Sequence, residues 1–595
     1  MEQETAGNHI EHLHDESYER GYDPRNLNRT TMIQTTGRTA ESLNGLWRFT
    51  IDPYDTGLRM GWHDPGQHGV AAPWDYDPDG GEGIPVPSCW NMHRPEYLHY
   101  EGSAWYARRF AYRAAPPGER VFLRIGAANY DAKVFLNHAF LGNHRGGSTP
   151  FCLELTGGLR VENLLQICVN DARTLDRVPM RNTDWFNYGG IYRDIGLFRL
   201  PASFIRDFKV QLVPDGTYGR IKFEMAVDGP ASDGEARVEI PELQIAAWMR
   251  IEGGRGELTV AARPERWSPD APRLYSVSAA YGGDRVEERV GFRQIGTAGT
   301  DILLNGKRIF LRGVCVHEDD AQCGKVSDEA DIRRRFAHAK ELGCNFLRLA
   351  HYPHTELAAS IADEVGLMLW EEIPVYWAID FTNQSTYADA ENQLLELIKR
   401  DQNRVSVIIW SVGNENADSD ARLSFMSRLA AKAKQEDPGR LVCAACLVNK
   451  AKLRIEDRLA AYLDVIGLNE YYGWYDPNYE ELVQIGRNSH PDKPIIISET
   501  GADALAGHHG SRDELFTEEY MAEVYHKQLA ILSQLDYVQG LTPWILYDFR
   551  SPRRQNRYQQ GFNRKGLIAL DKRTKKAAFQ VLQEFYRAKA AEERG

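Results

Sequence analysis

Apolar residues recur along this chain in two rhythms, and the rhythm changes near residue 297. Before that point, short runs alternate apolar and polar positions, as half-buried strands do. "GLWRFTID", "SAWYARRFAY", "RVFLRIG", "YDAKVFLN", "LLQICVN" and "IGLFRL" are separated by clusters of Gly, Pro, Asn and Asp. Their spacing predicts a jelly-roll sandwich over residues 25–200, preceded by a polar arm at 1–24. "FKVQLV", "RIKFEMAV", "EARVEI", "GELTVAA" and "LYSVSAAY" continue the alternation. Their combined length suits a smaller immunoglobulin-like sandwich over 201–296.

From "DILLNGKRIFLRGV" onward, continuous apolar runs alternate with helical stretches such as "DEADIRRRFAHAKELG" and "ARLSFMSRLAAKAKQE". Eight strands are predicted, at 309–316, 346–350, 368–372, 407–412, 441–444, 465–468, 495–498 and 538–544. Eight strand–helix units over 297–595 predict a (β/α)8 TIM barrel. A doubly wound sheet is disfavoured, because no G-x-G-x-x-G turn opens any unit. The expected whole is a multidomain β plus α/β chain of jelly roll, immunoglobulin-like sandwich and C-terminal barrel.

Composition narrows the function. The 595 residues carry a net charge of -13 with no long Lys/Arg run, which argues against nucleic acid and anionic membranes as partners. No run of 18 apolar residues occurs to span a bilayer. "MEQETAGNHIEHLHDESYERGYD" lacks the basic and apolar regions of a secretory signal, so cytoplasmic residence is expected. Eight sparse cysteines read as free thiols of a reducing compartment. Cys443 and Cys446 form a lone C-x-x-C that reads as strand core rather than a zinc site. His508-His509 and "HEDD" lack the H-E-x-x-H spacing, so no metal and no cofactor is expected.

In a TIM barrel the chemistry sits at the C-terminal ends of the strands. Strand one ends in His317-Glu318-Asp319 and strand two in His351-Tyr352. Glu371-Glu372 close strand three, and Asn414-Glu415 follow the buried run of strand four. Strand six ends in Asn469-Glu470-Tyr471-Tyr472, strand seven in Glu499, and strand eight at Trp544. Glu415 and Glu499 would face each other across one mouth. Glycoside hydrolysis needs such a pair, one carboxyl to protonate the leaving oxygen and one carboxylate to attack the anomeric carbon. Glu371 and Glu372 read as supporting carboxylates.

"WSVGNE" resembles the strand-four signature of retaining glycoside hydrolases of clan A, and "PIIISETG" their strand-seven nucleophile segment. With "GSAWYARRF", "DWFNYGGIYRDIGL", "FLRGVCVHED", "LRLAHYPH" and "LNEYYGWY", the chain resembles glycoside hydrolase family 2 over nearly its whole length. That resemblance implies Glu415 as acid/base, Glu499 as nucleophile and Asn414 on the sugar 2-hydroxyl. "GFNRKGLI" resembles the Asn-x-Lys motif of the family's bacterial β-glucuronidases, which implies that Asn563 and Lys565 grip a uronate carboxylate. A neutral sugar would leave that lysine desolvated and unpaired.

The same resemblance places Asp184 on sugar hydroxyls, Tyr471 and Tyr475 near the nucleophile, Trp544 as a sugar platform, and His317 and His351 at the mouth. Glu470 stands where the resembled enzymes often carry Arg, and "RYQQGF" before the Asn-x-Lys motif has no Arg in its final four positions, Arg557 lying slightly earlier. The expected activity is a retaining exo-β-glucuronidase acting on small-molecule or oligosaccharide β-glucuronides, working as a homodimer or homotetramer. A β-galacturonidase is the alternative, then a β-galactosidase; outside enzymology, the alternative is a non-catalytic carbohydrate-binding protein. The short segment between "HYPH" and "WSVGNE" implies a mouth open to bulky aglycones.

Overall fold

The computed structural model describes residues 32–64, 76–113 and 117–594. The predicted arm at 1–24 lies outside the described residues.

The first β region packs a six-stranded antiparallel sheet against a four-stranded one. Strands Ser103–Ala111 and Glu162–Asn170 form the middle of the larger sheet, and Arg120–Ile125 and Ile195–Leu200 that of the smaller. Inward positions of both sheets, among them Trp47, Phe49, Leu123, Ile125, Val134 and Ile167, close one core. This is the alternation read from the sequence, realised as two layers. A second sandwich follows, of three strands led by Phe204–Leu212 and four that include Asp284–Val290. In Asp284–Val290 every other residue is buried, and Phe208, Phe223, Val238 and Val286 meet between the layers.

The barrel strands are parallel and pair in sequence order around the ring. The predicted first strand is two short pieces, which differs from the continuous run expected at 309–316. Leu311–Arg312 pairs with Val538–Leu541, and Cys315–Val316 pairs with Phe346–Leu349, so the two halves close the ring between the eighth and second strands. The break falls at Gly313, where a Cβ would stand 2.6 Å from Thr542 Cγ2 and 2.8 Å from Phe346 Cδ1. Strand four, Val407–Asn414, is buried at all of its positions and runs two residues further than expected. Strand eight stops at Leu541, so Trp544 sits in the loop beyond it.

Helix Glu329–Leu342 follows strand one. The Asp328 side chain accepts from Asp331 N at its start, and Gly343 ends it with a left-handed φ of 99°. Helix Gln384–Asp401 turns buried polar residues toward the jelly roll. There Glu396 accepts from His144 Nε2 at 3.0 Å and from the Thr149 hydroxyl. Arg193 of the jelly roll reaches Glu318 at 2.9 Å. These contacts fix the jelly roll over the C-terminal mouth of the barrel. Among the described residues, no helix is long and apolar enough to cross a membrane.

Candidate active site

The floor of the mouth is organised by an arginine that sequence reasoning did not single out. Arg348, on the second barrel strand "FLRL", is fully buried. It donates to both oxygens of Glu372 at 3.1 Å, to Glu499 Oε1 at 2.8 Å and to Asn414 Oδ1 at 2.6 Å. Burial works against its charge, but Glu372 and Glu499 outweigh that and hold its pKa well above the ordinary guanidinium value. Its legible signal was a charged residue inside an otherwise apolar strand. Glu372 is likewise buried; Arg348 and His351, which bonds it at 2.7 Å, hold it down to about 2. Glu371, one residue earlier, faces the opposite way toward Arg400 of helix Gln384–Asp401, as strand alternation requires.

Glu499 ends the seventh strand, Ile495–Glu499. Besides Arg348 it accepts from the Tyr471 hydroxyl at 2.7 Å. Burial pushes its pKa up to about 8; the charge of Glu415 pushes the same way, while Arg348 and Tyr471 oppose both. Glu415 follows strand four in the left-handed region at φ 52°, a conformation that costs a non-glycine residue roughly 1–2 kcal/mol. Its backbone N–H donates to Ala445 O at 2.8 Å, which fixes the turn. Trp377 Nε1 donates to Glu415 Oε2 at 2.6 Å, and the carboxylate is half-buried where Glu499 is deeply so. Trp377 packs on Tyr376 at 4.5 Å, Tyr376 on His351 at 4.9 Å, and His351 Nε2 lies 3.7 Å from Glu499 Oε1, so a run of contacts links the two acids. Asn414 Oδ1 is saturated by Arg348 and by Asn469 Nδ2 at 3.1 Å. Its Nδ2 is buried with no partner among the described residues.

Lys565 is buried, and its ammonium donates to Asp503 Oδ2 at 2.6 Å and to the Tyr475 hydroxyl at 3.1 Å. This corrects the expectation that it stands unpaired without a uronate: Asp503 compensates it already. Burial works against the ammonium, but the Asp503 and Tyr475 oxygens outweigh it and raise its pKa above the usual value. Asp503 is in turn held by Gln559 Nε2 at 3.1 Å and Arg564 N at 2.8 Å. Asn563 Oδ1 accepts the Lys565 backbone N–H at 3.1 Å, and its Nδ2 donates to Asp184 Oδ2 at 3.3 Å.

Asp184 comes from the jelly roll, as expected, but its charge is already taken. Arg554 approaches it with Nε at 3.0 Å and with a second guanidinium nitrogen, and Ser551 Oγ donates at 2.7 Å. Arg554, in "SPRRQNRY", is a second cation beside Tyr475 that the sequence reading passed over. Tyr475 itself is 57 % exposed and serves Lys565 rather than the nucleophile. Its ring meets that of Tyr471 edge-on at 5.2 Å.

Trp544 is buried and stacked on His351 at 4.8 Å, with His317 edge-on at 5.1 Å. His317 Nδ1 bonds Tyr352 OH at 3.1 Å, and its Nε2 has no partner among the described residues. Burial holds both imidazoles neutral, His351 down to about 4 and His317 well below its usual value. Glu470 turns away from the mouth. It accepts from Tyr472 N at 3.1 Å, and burial raises it to about 7. Asp319 and Asp320 bond Tyr188 and Lys572, and His509 bonds Glu519. Among the described residues, no group of three or more His, Cys, Asp or Glu could hold a metal.

Two opposed carboxyls on the fourth and seventh strands of a barrel capped by a jelly roll define a glycoside hydrolase. The chain belongs to the glycosyl hydrolases family 2: residues 297–590 match its TIM barrel domain and residues 40–201 its sugar binding domain. It is 30% identical to a β-glucuronidase of Paenibacillus borealis, an alignment that spans 91% of this chain and 96% of that one. A β-glucuronidase structure from an uncultured Clostridium sp. superposes with a TM-score of 0.83 at 26% identity, covering 94% of this chain and 99% of the other. A β-galacturonidase structure from Eisenbergiella tayi superposes with a TM-score of 0.80 at 26% identity, covering 94% and 97%.

Proposed function

We propose that this protein is a retaining exo-β-glucuronidase. Lys565 and Asn563 bind the carboxylate of a terminal β-D-glucuronide, and Asn414 Nδ2 takes its 2-hydroxyl. Glu499 attacks the anomeric carbon while Glu415 gives its proton to the aglycone oxygen. Glu415 then draws a proton from water as that water displaces Glu499 and frees glucuronate. The observation that carries this reading is the continuity between clamp and nucleophile: Lys565 bonds Tyr475, Tyr475 packs on Tyr471, and Tyr471 bonds Glu499.

The charge of Glu415 adds to burial in raising the proton affinity of Glu499. Burial favours one retained proton at neutral pH, and the first step needs it on Glu415. Arg348 and Tyr471 favour the ionised form of Glu499, and so does the positive charge that develops at the anomeric carbon. Forming the glycosyl ester then removes the Glu499 charge, which leaves Glu415 free to act as base toward water.

A β-galacturonidase is the second reading, supported by the Eisenbergiella tayi neighbour and by the same carboxylate clamp. Hydrolysis of 4-nitrophenyl β-glucuronide, β-galacturonide and β-galactoside, measured side by side, separates the readings. Glucuronide is expected to turn over fastest. Lys565→Ala is expected to cut kcat/KM on it by about 10²-fold or more, the cost of losing a charge-assisted contact and leaving Asp503 buried without its cation. Equal losses on all three sugars would refute the clamp, and binding without release of aglycone would make the protein a non-catalytic lectin. Cytoplasmic residence and assembly into a homodimer or homotetramer belong to the same proposal; cell fractionation and sedimentation test them.

A further inference from the structure

The leaving group departs past Glu415, and that side of the mouth carries its own recognition chemistry. Trp377 lies in the loop after the third strand and donates its indole N–H to Glu415 at 2.6 Å. Tyr376 packs beside its ring at 4.5 Å, and the Arg553 guanidinium lies over it at 4.7 Å. Arg553 is exposed, and among the described residues it holds no ion pair and no hydrogen bond. Its neighbour Arg554 is spent on Asp184. Arg553 is thus a cation left uncompensated at the acid/base rim, in a chain of net charge -13. Stacking on an indole fixes the plane of a guanidinium while leaving its edge N–H donors free, and that edge matches a carboxylate bidentately.

We propose that Arg553 recognises a carboxylate on the aglycone, so that the preferred substrates are uronides whose leaving group is itself acidic. The proposal rests on Glu415 being the proton donor to that group, as read above. It gives the open mouth a preference: bulky neutral aglycones enter, and carboxylated ones are held.

The test compares 4-carboxyphenyl β-glucuronide with its methyl ester, taking the ratio of their kcat/KM values so that effects on the glucuronide ring cancel. Arg553→Ala is expected to lower the acid-to-ester ratio about three- to tenfold, as for a charge pair at a half-open site. Arg553→Lys is expected to keep most of the preference, because the charge remains. Added salt is expected to shrink the ratio in the wild type and leave it unchanged in Arg553→Ala. A ratio unaltered by Arg553→Ala overturns the inference, and so does an equal fall in both variants, which would mean that Arg553 only packs Trp377. A wild type that cleaves neither compound overturns the assigned sugar as well, whereas cleavage of both with no Arg553 effect overturns this inference alone.

Discussion

Tyr471 is the residue where burial and catalysis compete most directly. Its hydroxyl donates to Glu499 at 2.7 Å, against a desolvation that raises the carboxyl to about 8. A donor to the charged form lowers a carboxyl pKa, so removing it raises that pKa further and favours the protonated, non-nucleophilic form of Glu499. Tyr471→Phe is therefore expected to lower kcat/KM about 10- to 100-fold, the worth of a hydrogen bond to a charged group. It is also expected to move the acidic limb of the pH–rate profile to higher pH. A limb that stays in place or moves down would contradict this account of Tyr471. The positions of Glu415, Glu499 and Tyr471 at the mouth were legible because strand periodicity fixes which residues end a strand. Arg348 and Arg554 were not, since what ties them to the mouth is a partner distant in sequence: Glu499 for one and Asp184 for the other. The pairing of Lys565 with Asp503 was hidden for the same reason.

At the scale of elements, the barrel depends on a strand that is interrupted. Periodicity read 309–316 as one run, because a break at a glycine leaves the apolar pattern intact. The structure splits it so that each half pairs with a different neighbour, and Gly313 gives the room. A Cβ there would collide with Thr542 Cγ2 and Phe346 Cδ1. Gly313→Ala is expected to destabilise the protein by about 1–3 kcal/mol, the usual cost of overpacking, read as a lower midpoint in urea. An unchanged midpoint would mean that the closure gives way easily. The helices were better marked: Asp328 and Ser419 accept the N-terminal backbone N–H groups of helices Glu329–Leu342 and Asp420–Glu436, as their residue types allow.

On the scale of the whole molecule, the jelly roll is part of the site, because Asp184 and Trp185 enter the mouth from it. Trp185 meets His351 at 5.5 Å and Tyr376 at 4.8 Å. The order of sandwiches and barrel was legible from the change of rhythm, whereas their docking was not, since it rests on isolated polar residues within each part. Glu396 is one of these, fully buried between His144, Thr149 and Asn392. Glu396→Ala would strand those groups and is expected to cost about 3–5 kcal/mol, as when one partner of a buried pair is removed. Differential scanning calorimetry should show a lower unfolding temperature, with the β region coming apart from the barrel; an unshifted transition would deny Glu396 that role. The central claim, that Glu499 attacks a uronic acid held by Lys565 and Asn563, is tested most directly by trapping the intermediate. Incubation with 2-deoxy-2-fluoro-β-D-glucuronyl fluoride, followed by peptide mass mapping, should place a glucuronyl ester on Glu499. A label on another carboxylate, or an unlabelled protein that still turns over glucuronides, would contradict it.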